Sequence, residues 1–389
     1  MTKRLIYILS FTFLIALAIA SSCSCGNTDS DAKHTSTNSI VDSISEPTLT
    51  KQLEQKANAI EKLYIKKAKR TSFNGCVLIA QGGQVLYKNA FGYSNFRTRE
   101  KLSLNSAFQL ASASKPFTAA AILLLYQEGK LHLSDSVQKH LIEFPYPGVT
   151  VEMLLTHRSG MSNYMYFGED YCDKNMCYNG GVFDNNAVLD IMKKYCPQRY
   201  YPPGRKFEYC NTNYALLASI VESVSNQPFS EFMKEHIFEP LEMYNTWVHI
   251  PGDYDKHPSI AKGHKKNGRL EKNQYAEDVV GDKGIYSTVE DLYKWDQALY
   301  TEALLSHATK EKAFKGYSHE KWGRRNYGYG WRIYSHRNGI KDIYHNGWWH
   351  GYNTKLFRRP ADKTTIIILS NRANKSAFQT QDILAILNN

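Results

Sequence analysis

Ser112 and Lys115 stand three positions apart at the start of an apolar helical stretch, QLASASKPFTAAAILLLYQEGKL (109–131). Residues at that spacing share one face of a helix. A serine hydroxyl is a weak nucleophile until a base takes its proton. An amine can be that base when burial and nearby positive charge lower its pKa. The start of a helix adds partial positive charge and unpaired N–H groups, which suit a developing oxyanion. Pro116 is tolerated there because first-turn N–H groups have no intrahelical partner. The chemistry within reach is acyl transfer through a serine ester. The plainer alternative is that Ser112 caps a helix and Lys115 lies at the surface, since Ser-x-x-Lys alone is a common spacing. Tyr209-Cys210-Asn211 and His345-Asn346-Gly347 follow in that order and supply a phenol, an amide and an imidazole.

Those residues need a scaffold. VLIA (77–80), Gly82-Gly83 and QVLY (84–87) predict a β-hairpin. YGWRIY (329–334), NTKLFRR (353–359) and TTIIILS (364–370) read as strands near the other end. Residues 112–300 are mostly helical in pattern, as in TNYALLASIVESVS (212–225) and STVEDLYKWDQALY (287–300). One sheet built from both chain ends, with helical material inserted, is the predicted arrangement. It leaves a cleft between two subdomains, a common place for a site.

Composition bounds the rest. The chain has 389 residues, 42% of them hydrophobic and 22% charged, which excludes collagen, coiled coil and a disordered regulator. Mean hydropathy is −0.47, which excludes a multi-span membrane protein. Net charge is +11 and suits anionic partners: nucleic acid, anionic lipid or acidic cell-wall polymer. Lys3 and Arg4 precede the apolar run LIYILSFTFLIALAIA (5–20), then Ala20-Ser21-Ser22 and Cys23. Residues 1–22 are therefore expected to be a lipoprotein-type signal, with Cys23 as the lipid attachment point and an ordinary cleaved signal or an uncleaved anchor as the alternatives. Such a protein is exported, works in the bacterial cell envelope and has no nucleic-acid partner. Residues 23–54 are polar enough to read as a flexible tether, and 55–389 as the catalytic domain. Cys172 and Cys177 could pair in an exported protein, while Cys76 and Cys196 read as structural cysteines. No Cys or His cluster has zinc spacing. His350 follows His345 without an acidic neighbour in sequence, so neither metal nor cofactor is expected. The basic runs at 66–70 and 319–325 read as solvated faces.

Taken together, Ser-x-x-Lys, Tyr-x-Asn and His-x-Gly resemble the three motifs of the serine β-lactamase and penicillin-binding-protein superfamily, in its class C β-lactamase-like branch. LLTHRSGM (154–161), PGRKFEYCNTNYALLASIVE (203–222), GIYSTVEDL (284–292) and YGYGW (327–331) look like further landmarks of that family. The resemblance implies an α/β (α+β) fold: a mostly antiparallel sheet flanked by helices, with an inserted all-helical subdomain. It implies that Ser112 is acylated, that Lys115 and Tyr209 handle its proton, and that Asn211 holds Lys115 and the substrate amide. His345 replaces the lysine of true class C β-lactamases and would meet the Tyr209 region or a substrate carboxylate. Backbone N–H groups of Ser112 and Trp348 would form the oxyanion hole beside Gly347. Trp348 and Trp349 would narrow the site or offer a stacking face, unless one packs inward. By the same resemblance His157 is a packed core residue. The expected function is a serine hydrolase of D-Ala-D-Ala carboxypeptidase, amidase or esterase type, acting on a small-molecule or peptide substrate. A β-lactamase and a non-catalytic binding protein are the alternatives.

Overall fold

The computed structural model describes residues 46–171, 181–272, 275–318 and 323–389. The expected signal, the Cys23 anchor, the Cys172–Cys177 pair and residues 319–322 of the second basic run lie outside them. The chain divides into Met1–Glu46 and Pro47–Asn389. Among the described residues no helix is long and apolar enough to cross a membrane.

Seven strands carry the main sheet: β1 (Gly75–Gln81), β2 (Gln84–Phe91), β3 (Arg325–Tyr327), β4 (Arg332–Ser335), β5 (Lys341–Trp349), β6 (Tyr352–Arg359) and β7 (Thr364–Ser370). They pair antiparallel in the order β2-β1-β7-β6-β5-β4-β3. Strands from both chain ends thus meet at β1 and β7, as the sequence predicts. β7 is buried along its whole length, which explains its unbroken apolar run: helices cover both faces of the sheet. Five helices matter here: α1 (Glu46–Arg70), α2 (Lys115–Gln127), α3 (Asn211–Ser225), α4 (Val289–Ala298) and α5 (Gln381–Asn388). On one face Ile60 and Tyr64 of α1 and Ile383 and Leu387 of α5 pack with Val77, Ile79, Ile366 and Ile368. On the other, Leu78, Ile367 and Leu369 meet Trp295 of α4 and Phe117 of α2, whose rings stack at 4.2 Å. Lys115 to Leu125 are all buried, so α2 is the central helix its composition announces.

Several expectations shift. Residues 46–54, assigned to the tether, begin α1. Lys67 is no solvated cation: it is buried, bonds the Gln379 carbonyl and approaches Asp382. Cys76 is a core residue, with burial pushing its thiol up to about 12. Cys196, also expected to be structural, is exposed at the left-handed end of the helix Asn185–Tyr195.

β5 sets up the site. β4 pairs with it only from Lys341 to Tyr344, where Arg332 faces Tyr344. Residues 345–349 keep β6 on one side, and their other edge faces the turn that carries Ser112. A Cβ built on Gly347 would sit 2.0 Å from the Leu110 carbonyl oxygen, so only glycine lets strand and turn approach this closely.

Candidate active site

Ser112 lies in a 3₁₀ turn, Ala111–Ser114, that runs directly into α2. Ala111 adopts φ 51°, a left-handed conformation that costs a non-glycine residue on the order of 1–3 kcal/mol. Ser114, not Ser112, occupies the N-cap position of α2; its hydroxyl accepts the Ile285 N–H. Ser112 is therefore half-buried and free to face the cleft. The Lys115 ammonium is fully buried. Its Nζ donates to Ser112 Oγ at 3.1 Å, Asn211 Oδ1 at 2.9 Å and the Asp282 carbonyl at 2.8 Å. Three acceptors match the three donors of an ammonium. Asn211 reaches Lys115 because it opens α3, just after the extended Cys210. Two residues earlier, the Tyr209 ring lies between two cations: Lys115 Nζ is 5.1 Å and Arg332 Cζ 5.0 Å from its centroid.

His345 does not reach the cleft. It is fully buried: its side-chain hydrogen bond goes to Tyr327, and its ring lies 6.3 Å from that of Tyr209, in the region expected of it. The His157 Nδ1 accepts from the Cys210 N–H and the Asn213 amide, which leaves its Nε2–H to donate to the Tyr327 hydroxyl at 3.2 Å. That hydroxyl then donates to His345 Nε2 at 3.2 Å, and His345 Nδ1 donates to the Asn346 carbonyl at 2.8 Å. The network assigns both tautomers. His157 is thus the packed core residue expected of it, and it ties the Tyr-x-Asn segment to the His-x-Gly strand. Burial first, and then the charges of Lys115 and Arg332, hold both imidazoles well below the ordinary histidine range.

These depressed values make a stability prediction. The unfolded chain, with histidines near pKa ~6.5, takes up protons first as pH falls. The contribution is complete above about pH 6.5 and lost below it, at up to ~1.4 kcal/mol per pH unit for each histidine. Thermal unfolding should show the midpoint falling as pH drops from about 7.5 to 5.5. Tyr327→Phe leaves both Nε2 atoms without a partner and should cost about 1–3 kcal/mol at neutral pH.

The cleft has a volume of about 490 Å³ and is lined by Ser112, Tyr209, Asn211, Gly347, Trp348 and Trp349 among others. Strand alternation separates the two indoles: Trp348 is 62% exposed, while Trp349 is buried and donates its Nε1–H to Glu277 at 2.8 Å. His350 does have an acidic neighbour, contrary to the sequence reading, because Glu277 lies 3.3 Å away. Burial pushes the Glu277 carboxyl up, but His350 and Trp349 outweigh it and hold it below its usual range. No three His, Cys, Asp or Glu residues among those described could hold a metal ion.

Sequence reasoning missed three charged residues of the cleft: Arg332, Asp282 and Lys283. Each lies beside a segment that reads as a family landmark, Arg332 just after YGYGW and the other two just before GIYSTVEDL. Lys283 is buried between Asp282, at 3.6 Å, and the Tyr164 hydroxyl. Burial lowers its pKa despite its two carboxylate neighbours, Asp282 and Glu277. Arg332 has no carboxylate partner among the described residues; its guanidinium lies over the Tyr209 and Tyr327 rings and lines the same cleft as Ser112.

The Beta-lactamase family model matches residues 59–388. Penicillin-binding protein 4* of Bacillus subtilis (strain 168) is 32% identical over 339 residues, covering 84% of this chain and 74% of that protein. Protein flp of Staphylococcus aureus (strain MW2) is 27% identical over 312 residues; the match covers 76% of this chain, which spans only 59% of that longer protein. The crystal structure of a penicillin-binding protein from Bacillus halodurans has the same fold, with a TM-score of 0.73 at 26% identity over 83% of this chain and 97% of that one. The mixed sheet-and-helix architecture, the Ser112 cleft and a match across nearly all of the folded part lead to one conclusion: this chain belongs to the Beta-lactamase family.

Proposed function

We propose that the protein is an exported serine hydrolase that works through an acyl-enzyme, of D-Ala-D-Ala carboxypeptidase type or a related amidase or esterase. The supporting observation is the Ser112–Lys115–Asn211 triad in a cleft that Arg332, without a carboxylate partner among the described residues, also lines. In this reading Ser112 Oγ attacks the substrate carbonyl carbon and forms an ester. Its proton passes through Lys115 and Tyr209 to the leaving group, and the same pair then takes a proton from the water that cleaves the ester. The backbone N–H groups of Ser112 and Trp348 receive the oxyanion. Asn211 holds Lys115 and the substrate amide, and the Arg332 guanidinium fits a terminal carboxylate. Export and lipidation at Cys23 follow from the pattern of residues 1–23.

A fluorescent penicillin tests the substrate class. A peptidase should keep a long-lived adduct through gel electrophoresis. Rapid turnover with no retained label would identify a β-lactamase instead. No labelling together with no hydrolysis of activated esters would remove the enzyme reading altogether.

A further inference from the structure

The Ser112 cleft continues beyond its own walls. Trp348 and Phe378 also line a second cavity of about 840 Å³, and Arg332 and Tyr344 a third of about 620 Å³. The Ser112 cleft thus adjoins both of the others through shared wall residues, as the centre of a trough with two wings. Its first wing carries Arg70, Lys266 and Arg372; its second carries Arg324, Arg325 and Arg332. Among the described residues, neither wing is lined by an Asp or Glu. None of the six cations forms an ion pair among the described residues, although a carboxylate is near: Glu271 approaches Lys265, the neighbour of Lys266. Arg372 is fixed by its own backbone contacts, with Nε and Nη2 both donating to the Lys266 carbonyl. A cavity elsewhere on the protein, of about 450 Å³, contrasts with this: Glu231, Glu239 and Asp253 line it.

Six like charges gathered along one trough repel one another, and the cavity walls focus their field onto whatever enters. An anion in each wing relieves that repulsion. A single terminal carboxylate at Arg332 leaves the first wing empty. Trp348, 62% exposed between the first wing and Ser112, offers a flat apolar face on the path. We propose that the substrate is an extended polyanionic chain that crosses Ser112 with negative groups on both sides of the scissile bond. The chain's carboxylates or phosphates lie in the two wings, and its backbone passes over Trp348. This proposal rests on the hydrolase reading and narrows its substrate class.

The test uses the whole protein, a small neutral p-nitrophenyl ester as substrate, and two soluble probes: linear polyphosphate and poly-L-glutamate. At least one polyanion should inhibit competitively, raising KM with kcat unchanged, and added salt should relieve the inhibition. The probe that inhibits better identifies phosphate or carboxylate as the anionic group. Arg70→Gln/Lys266→Gln/Arg372→Gln and, separately, Arg324→Gln/Arg325→Gln should each weaken that inhibition about tenfold, with kcat/KM for the neutral ester held within about twofold. Fluorescence anisotropy of labelled polyphosphate and poly-L-glutamate reads the same binding without turnover. If the ester is not cleaved, the hydrolase reading fails while anisotropy still decides on the trough. No binding of either polyanion, or binding unchanged in both variants, would overturn the proposal. So would inhibition by phosphatidylglycerol vesicles alone, which would mark a membrane-facing surface instead.

Discussion

Lys115→Met is expected to lower kcat/KM for activated esters by about 10³-fold or more, with little change in the fold. Methionine fills a similar volume in the buried site but supplies no amine. Ser112 Oγ then loses the one side-chain group among the described residues shown within hydrogen-bond distance that can manage its proton. Asn211 Oδ1 and the Asp282 carbonyl lose the donor they share, so the cleft also loses its internal brace. Methionine is accommodated because Lys115 begins a helix whose next ten residues are buried. Steady-state kinetics beside a thermal melt separate the two effects. A variant that melts like wild type and retains activity within tenfold would show that Lys115 is neither the base nor a brace, and would leave the proton to Tyr209.

Gly347→Ala should be nearly as damaging, for a steric reason. The added methyl would meet the Leu110 carbonyl oxygen at 2.0 Å and the Ala111 Cβ at 3.1 Å. Backbone on both sides cannot yield, so β5 must move away from the turn that carries Ser112. A displacement of about 1 Å at a reacting centre costs on the order of 10²-fold in rate. The shift also pulls the Trp348 N–H away from the proposed oxyanion. The expected signature is a loss in kcat greater than any change in KM. Normal kinetics in this variant would mean that the turn and strand need not approach for catalysis.

The sequence makes some of this legible and hides the rest for physical reasons. β7 and α2 are readable because both are enclosed by apolar neighbours, so their residues form continuous apolar runs. β5, KDIYHNGWW, gives no such signal. Its buried polar residues are satisfied by distant partners: Asp342 by Arg359 at 2.7 Å and His345 by Tyr327. Its glycine answers to a contact with another segment. Once the segment is known to be a strand, the opposite fates of Trp348 and Trp349 follow from the two-residue period. His345 was expected to meet the Tyr209 region or a substrate carboxylate because it replaces a lysine of the family motif. Its ring does lie 6.3 Å from that of Tyr209, but Tyr327, positioned by the β3–β4 pairing, takes its Nε2 and keeps it from the cleft. Arg332 and Lys283 become cleft residues only through the register of β4 and the packing of the 279–284 segment, which no local spacing reveals. The pairing of Ser112 with Lys115 is not singled out by its three-residue spacing, which is common; the Tyr209-Cys210-Asn211 and His345-Asn346-Gly347 segments that follow it in order single it out.

Covalent catalysis at Ser112 is the central claim, and intact-protein mass spectrometry tests it most directly. After brief exposure to benzylpenicillin, the wild-type chain should gain the mass of one ring-opened penicillin, mapped by peptide analysis to the segment containing Ser112. Ser112→Ala should gain nothing. An adduct on another residue, or equal labelling of the Ser112→Ala protein, would contradict the account.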